Sequence, residues 1–135
     1  MNESKANNRG QGRGDGALVY VVDDEPMLLE LATVILEPLG FRLETFRDAE
    51  EALRSFQSAR PLPALLITDY AMHNMTGMDL MEACRRIQPQ QKVLLVSGTV
   101  GPEIFEKTPN KPNRFLAKPY QAKELIEAVT STLAE

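Results

Sequence analysis

Apolar residues along this chain fall into two kinds of run that take turns. Ala17-Leu-Val-Tyr-Val-Val22, Leu65-Leu-Ile-Thr68, Lys92-Val-Leu-Leu-Val-Ser97 and the brief Arg114-Phe-Leu-Ala117 are short and nearly unbroken. Runs of this length and continuity read as strands covered on both faces, the environment inside a parallel sheet. Phe41-Arg-Leu-Glu-Thr-Phe46 instead alternates apolar with polar positions, which suits a sheet edge. Between these runs, apolar side chains recur every three or four residues. Leu28, Leu31, Ala32, Ile35 and Leu39 do so behind Pro26, whose fixed φ suits a first helical turn, and Gly40 closes that segment. Asp48 caps a second helix with Ala49, Ala52, Leu53 and Phe56 on one face, and Pro61 and Pro63 forbid its continuation. Leu80, Ala83, Cys84 and Ile87 predict a third helix broken at Pro89, and Ala122, Leu125, Ile126, Val129 and Leu133 predict a last one. From Gly98 the pattern weakens, because residues 102–108 allow only a short helix before Pro109 and Pro112.

Five strands alternating with five helical segments imply an α/β chain folded as a three-layer sandwich with right-handed crossovers. The doubly wound strand order 2-1-3-4-5 puts the two least apolar strands, the second and fifth, at the edges. Residues 1–16 carry four glycines and few apolar side chains, too little to offset their ordering entropy, so they read as a flexible tail before a single domain over 17–135. A hydrophobic content of 43% and a charged content of 25% are ordinary globular values, so they leave this picture unchanged. The net charge of −4 offers no basic face for nucleic acid, and no direct nucleic-acid partner is expected. Cys84 is the only cysteine, which excludes an internal disulfide; its place on the apolar face of the third helix predicts a buried core residue. With no apolar run of about 18 residues and a polar amino terminus, the expectation is a cytoplasmic protein without a membrane partner.

Composition says little about chemistry, but the strand ends say more. Under the 2-1-3-4-5 order, strands 1, 3, 4 and 5 are successive neighbours, and their carboxyl ends deliver Asp23 and Asp24, Asp69, Ser97 and Lys118 to one crevice. Carboxylates gathered there repel by about 4 kcal/mol per pair at ~4 Å and an effective dielectric near 20, so positive charge must sit among them. Lys118 supplies part of it. Oxygen ligands without histidine or cysteine favour a hard cation, and Mg²⁺ is commonly held by one or two carboxylates with waters and phosphate oxygens. A carboxylate beside a metal, a lysine and a hydroxyl is equipped to attack phosphorus and become an aspartyl phosphate. Taken alone, Asp23 and Asp24 read equally well as a pair complementing the dipole of the helix at Pro26, and Phe115 reads as a core residue.

Val-Val-Asp-Asp-Glu-Pro (21–26), Thr-Asp-Tyr-Ala-Met (68–72) with Met75-Thr76-Gly77, Leu-Val-Ser-Gly (95–98) and Phe-Leu-Ala-Lys-Pro-Tyr (115–120) together resemble the receiver domain of bacterial two-component response regulators, over about residues 17–134. The resemblance implies a flavodoxin-like fold akin to the chemotaxis regulators. It implies Asp69 as phosphoacceptor, Asp24, Asp69 and the backbone carbonyl of Ala71 as direct Mg²⁺ ligands, and Asp23 as a ligand through water. Ser97 would be the switch hydroxyl and Phe115 the aromatic that follows it, with Lys118 bridging to the phosphate across a cis bond to Pro119. The implied partners are a sensor histidine kinase or His-phosphotransfer protein and a downstream protein target, the chain being a monomer or weak dimer. The implied chemistry is confined to its own phosphorylation and dephosphorylation, in a single-domain switch or a piece of a hybrid kinase. His73 replaces the family's usual proline, and residues 101–113 lack its usual fourth-helix pattern. Two rival readings are a Mg²⁺-dependent phosphohydrolase, disfavoured because Ala71 stands where a second acid is needed, and a pseudo-receiver that binds without being phosphorylated.

Overall fold

The continuous apolar runs become the middle of one sheet in the computed structural model, which describes residues 14–135. Strands β1 (Leu18–Val22), β2 (Arg42–Phe46), β3 (Leu65–Asp69), β4 (Val93–Ser97) and β5 (Arg114–Ala117) are all parallel and lie in the order β2-β1-β3-β4-β5. Every position of β1, β3 and β4 is buried, whereas the edge strands β2 and β5 have no buried position. The pairing aligns Val22 with Thr68, Asp69 with Val96, and Ser97 with Ala117. This register brings the residues that follow each strand out at the same end of the sheet.

Alternate side chains of the strands feed two cores. Val19, Val21, Leu65, Ile67, Leu94 and Val96 face helices α1 (Pro26–Leu36) and α4 (Ala122–Leu133), which contribute Leu29, Ala32, Leu36, Leu125 and Val129. Leu18, Tyr20, Val22, Leu66 and Val93 face α2 (Ala49–Ser58) and α3 (Gly77–Ile87), which contribute Ala52, Phe56, Leu80, Met81 and Cys84. The result is the expected three-layer sandwich, with Cys84 buried as expected. Local chemistry sets the helix ends. The Asp48 side chain accepts the N–H groups of Glu50 and Glu51, and Thr76 and Asp79 cap α3 reciprocally. Past α1, a 3₁₀ turn over Glu37–Leu39 ends at Gly40, whose φ of 98° is a left-handed conformation that suits glycine.

One expectation needs correction. The buried stripe of α1 is Leu29, Ala32 and Leu36, whereas Leu31 is 40% exposed. This helix is apolar nearly all round, so its spacing offers two stripes and only packing chooses between them. The fourth helical segment is short, as expected: it is a single 3₁₀ turn over Pro102–Ile104, and the prolines at 109 and 112 withhold amides that a longer helix would need. Residues 1–13 of the expected tail lie outside the described residues; at its end, Gly14 N–H bonds to the Leu39 carbonyl at 2.8 Å and Gly16 N–H to that of Gly40 at 2.7 Å.

The irregular segment before β5 is tied to α3 by one side chain. The Arg85 guanidinium donates to the Gln91 and Lys111 carbonyls and to the side-chain oxygens of Asn110 and Asn113, at 2.7–3.0 Å. Asn113 in turn accepts the Val93 N–H at 2.8 Å. Side-chain bonds thus replace the missing helix.

Candidate functional site

The aligned strand ends form an open crevice of about 490 Å³ lined by Asp24, Glu25, Asp69, Ala71, Gly98, Thr99 and Lys118. Asp69 is the last residue of β3 and is 7% exposed; Asp23 follows β1 and is 6% exposed. Asp24, one residue further along, is exposed. Side-chain oxygens of the three lie within 4.8 Å of one another. Lys118, following β5, reaches across with Nζ 3.0 Å from Asp23 Oδ2 and 3.3 Å from Asp69 Oδ1. The other Asp23 oxygen accepts the Glu25 N–H at 2.9 Å, which fixes the carboxylate at the entry to α1. Gly77 opens α3 directly beneath: a β-carbon there would lie inside contact distance of the Asp69 carbonyl oxygen and 2.9 Å from Leu95, so only glycine lets the helix start so close to β3.

Crowding of acids bears on the titration of Asp69. Burial, reinforced by the charge of Asp23, pushes the Asp69 carboxyl up from 3.8 to about 6, and Lys118 only partly offsets this. Burial alone would lower the Lys118 ammonium, but its hydrogen bond to Asp23 and the charges of Asp23 and Asp69 reverse the sign and raise it. The site therefore carries more negative charge than one lysine balances. Its donors are all oxygen, two of the carboxylates are buried and one is open to solvent, a set that suits a hard divalent cation such as Mg²⁺.

The structure brings Asp23, Asp24, Asp69 and Lys118 together and puts Ala71 on the crevice wall. The Lys118–Pro119 peptide is cis. Ser97 and Phe115 lie further back. Ser97 is 2% exposed, and its Oγ accepts the N–H groups of Thr99 and Val100, both at 3.1 Å. Phe115 is half-buried on β5, its ring centroid 6.2 Å from that of Phe105 beside the 3₁₀ turn. Sequence reasoning passed over Thr99, Gly98 and Glu25 as crevice residues and gave Gly77 no role beyond its place in the receiver-like motif. The Ser-Gly-Thr run after β4 was the available signal for the first two.

The family model of the response regulator receiver domain matches residues 19–130. The chain belongs to this family. A receiver domain of two-component signalling is thus what the fold and the strand-end acids build, and such domains work with histidine kinases or phosphotransfer proteins. The response regulator receiver domain protein from Clostridium thermocellum superposes with a TM-score of 0.80 at 26% identity, covering 87% of this chain and 94% of that one. The chemotaxis response regulator CheY4 of Vibrio cholerae gives 0.78 at 27% identity, covering 87% and 98%. The DNA-binding response regulator MtrA of Mycolicibacterium smegmatis is 28% identical over 115 residues, 85% of this chain but 50% of that protein. This receiver spans about half the length of the curated relatives it matches, and less of some: the transcriptional regulatory protein GlrR of Escherichia coli, 30% identical over 121 residues, is covered to 27%. Among the described residues no helix is long and apolar enough to cross a membrane.

Proposed function

We propose that this receiver is switched by phosphorylation of Asp69, with a phosphohistidine of a sensor kinase or His-phosphotransfer protein as donor. The observation that carries the reading is the position of Lys118 Nζ, within 3.3 Å of both Asp23 and Asp69 in a crevice with a third carboxylate at its mouth. A carboxylate oxygen of Asp69 attacks phosphorus, the phosphorus–nitrogen bond of the donor breaks, and its electron pair stays on the imidazole. Lys118 follows the charge from Asp69 onto the transferred phosphoryl oxygens. Asp23, Asp24, Asp69 and the Ala71 carbonyl would hold Mg²⁺, which when bound supplies further neutralisation of phosphoryl charge. Ala71 offers no acid or base at the crevice, which favours a lasting phosphoprotein over a phosphohydrolase. MtrA is named as DNA-binding; the net charge of −4 over these 135 residues favours a protein target for the receiver itself. In the presence of Mg²⁺, acetyl phosphate labels the wild type and leaves Asp69→Asn unlabelled; labelling that persists in the variant overturns the assignment.

A further inference from the structure

Beside the acid-lined crevice lies a second, largely apolar cavity of about 410 Å³, walled by Leu28 and Leu31 of α1 and by Pro119 and Tyr120 after β5. The two cavities share Glu25, Gly98 and Lys118. Glu25 combines a fixed backbone with an unengaged carboxylate. Its N–H is bonded to Asp23 Oδ1 at 2.9 Å and its carbonyl accepts the Leu28 N–H at 3.0 Å, which holds the residue at the entry to α1. Its side chain is 65% exposed, stands 3.9 Å from Lys118 Nζ, and accepts no hydrogen bond among the described residues. Lys118 is turned to Asp23 and Asp69 instead, at 3.0 and 3.3 Å.

Resting on the phosphorylation of Asp69 proposed above, we infer that Glu25 selects for a histidine donor: the apolar cavity takes the imidazole ring, and the Glu25 carboxylate accepts the N–H of the ring nitrogen that does not carry phosphorus. That nitrogen bears a proton only in the cationic ring, and an anionic acceptor favours the cation. When the Asp69 oxygen attacks, the phosphorus–nitrogen bond breaks and its electron pair goes to the ring. A ring already protonated leaves as neutral imidazole; an unprotonated one would leave as an anion among Asp23, Asp24 and Glu25. An acyl phosphate departs as a carboxylate that needs no such proton, so it gains nothing from Glu25 and is repelled by it. Glu25 therefore sorts donors by their leaving group.

Initial rates of labelling by phosphoimidazole and by acetyl phosphate, on the full chain at saturating Mg²⁺, test this. Glu25→Gln keeps the side-chain shape and removes the charge, and the ratio of the phosphoimidazole rate to the acetyl phosphate rate falls about fivefold, the scale of one exposed ion pair. Taking the ratio cancels any change in Asp69 or in Mg²⁺ affinity. Phosphoramidate, whose leaving nitrogen carries no ring, follows acetyl phosphate and not phosphoimidazole. An unchanged ratio in Glu25→Gln overturns the proposal. So does an equal fall with phosphoramidate, which marks a field effect without a seat for the ring. Failure of acetyl phosphate to label the wild type overturns the phosphorylation of Asp69 and this proposal with it, and the wild-type sample alone distinguishes that case.

Discussion

Asp69 works against the fold that holds it. Its carboxyl titrates at about 6, pushed up by burial and by Asp23, against 3.8 for an unhindered aspartate. The native state therefore keeps a proton that the unfolded chain has already lost, and stability falls as pH rises from about 4 to 6. Above that window the penalty is complete, with a ceiling of about 3 kcal/mol at ~1.4 kcal/mol per pH unit. Asp69→Asn lacks the charge, so in metal-free buffer at pH 7 it melts several degrees above the wild type, and the difference disappears below about pH 4. Adding Mg²⁺ narrows the gap by stabilising the wild type more than the variant. Thermal melts of both proteins at pH 4 and 7, with and without Mg²⁺, check the sign. A residue read from sequence as chemically active proves to be one that the fold strains to keep ionised.

Elements differ in how far their pattern could be read. β1, β3 and β4 were legible because a strand enclosed on both faces needs an unbroken apolar run, and the helices α2 and α3 because each has one apolar face. α1 was half legible: it carries apolar residues on both sides, so Leu31 was assigned inward although Met27, Leu31 and Val34 face solvent at 78%, 40% and 65% exposure. That open stripe continues through Leu28 and Leu31 to Pro119 and Tyr120, beside Lys118 and the crevice. An exposed apolar surface this close to Asp69, the proposed phosphoacceptor, fits a protein donor that must press against the mouth. Val34→Glu leaves the melting temperature within experimental error and labelling by acetyl phosphate unchanged, while transfer from a phosphorylated partner slows several-fold. The segment over 98–113 was legible only as far as its short helix, since a scaffold of side-chain bonds from Arg85 has no periodicity to announce it. Arg85→Met removes those four bonds while keeping the apolar stem, costs about 2 kcal/mol, and leaves labelling of Asp69 intact. Urea unfolding and acetyl phosphate labelling of the same preparation measure both.

Across the whole molecule, strand order made the site readable before any coordinate. Once β1, β3, β4 and β5 are neighbours and parallel, a polar residue after each must share one end of the sheet, and Asp23, Asp69 and Lys118 do. Order and register do not say which way a hydroxyl turns: Ser97 Oγ accepts the N–H groups of Thr99 and Val100 in the loop that follows β4. The same topology bears on how a signal could leave. β3 is the central strand, buried at every position, with a neighbour on each side and a helix layer on each face. Such a strand behaves as an anvil: it can receive a blow at Asp69 but has no room to recoil. The less enclosed parts lie two strands away, where four-residue β5 forms the rim and the short turn beside Phe105 leans on it. With Asp69 phosphorylated as proposed, news of the added charge has to travel sideways, out to that margin.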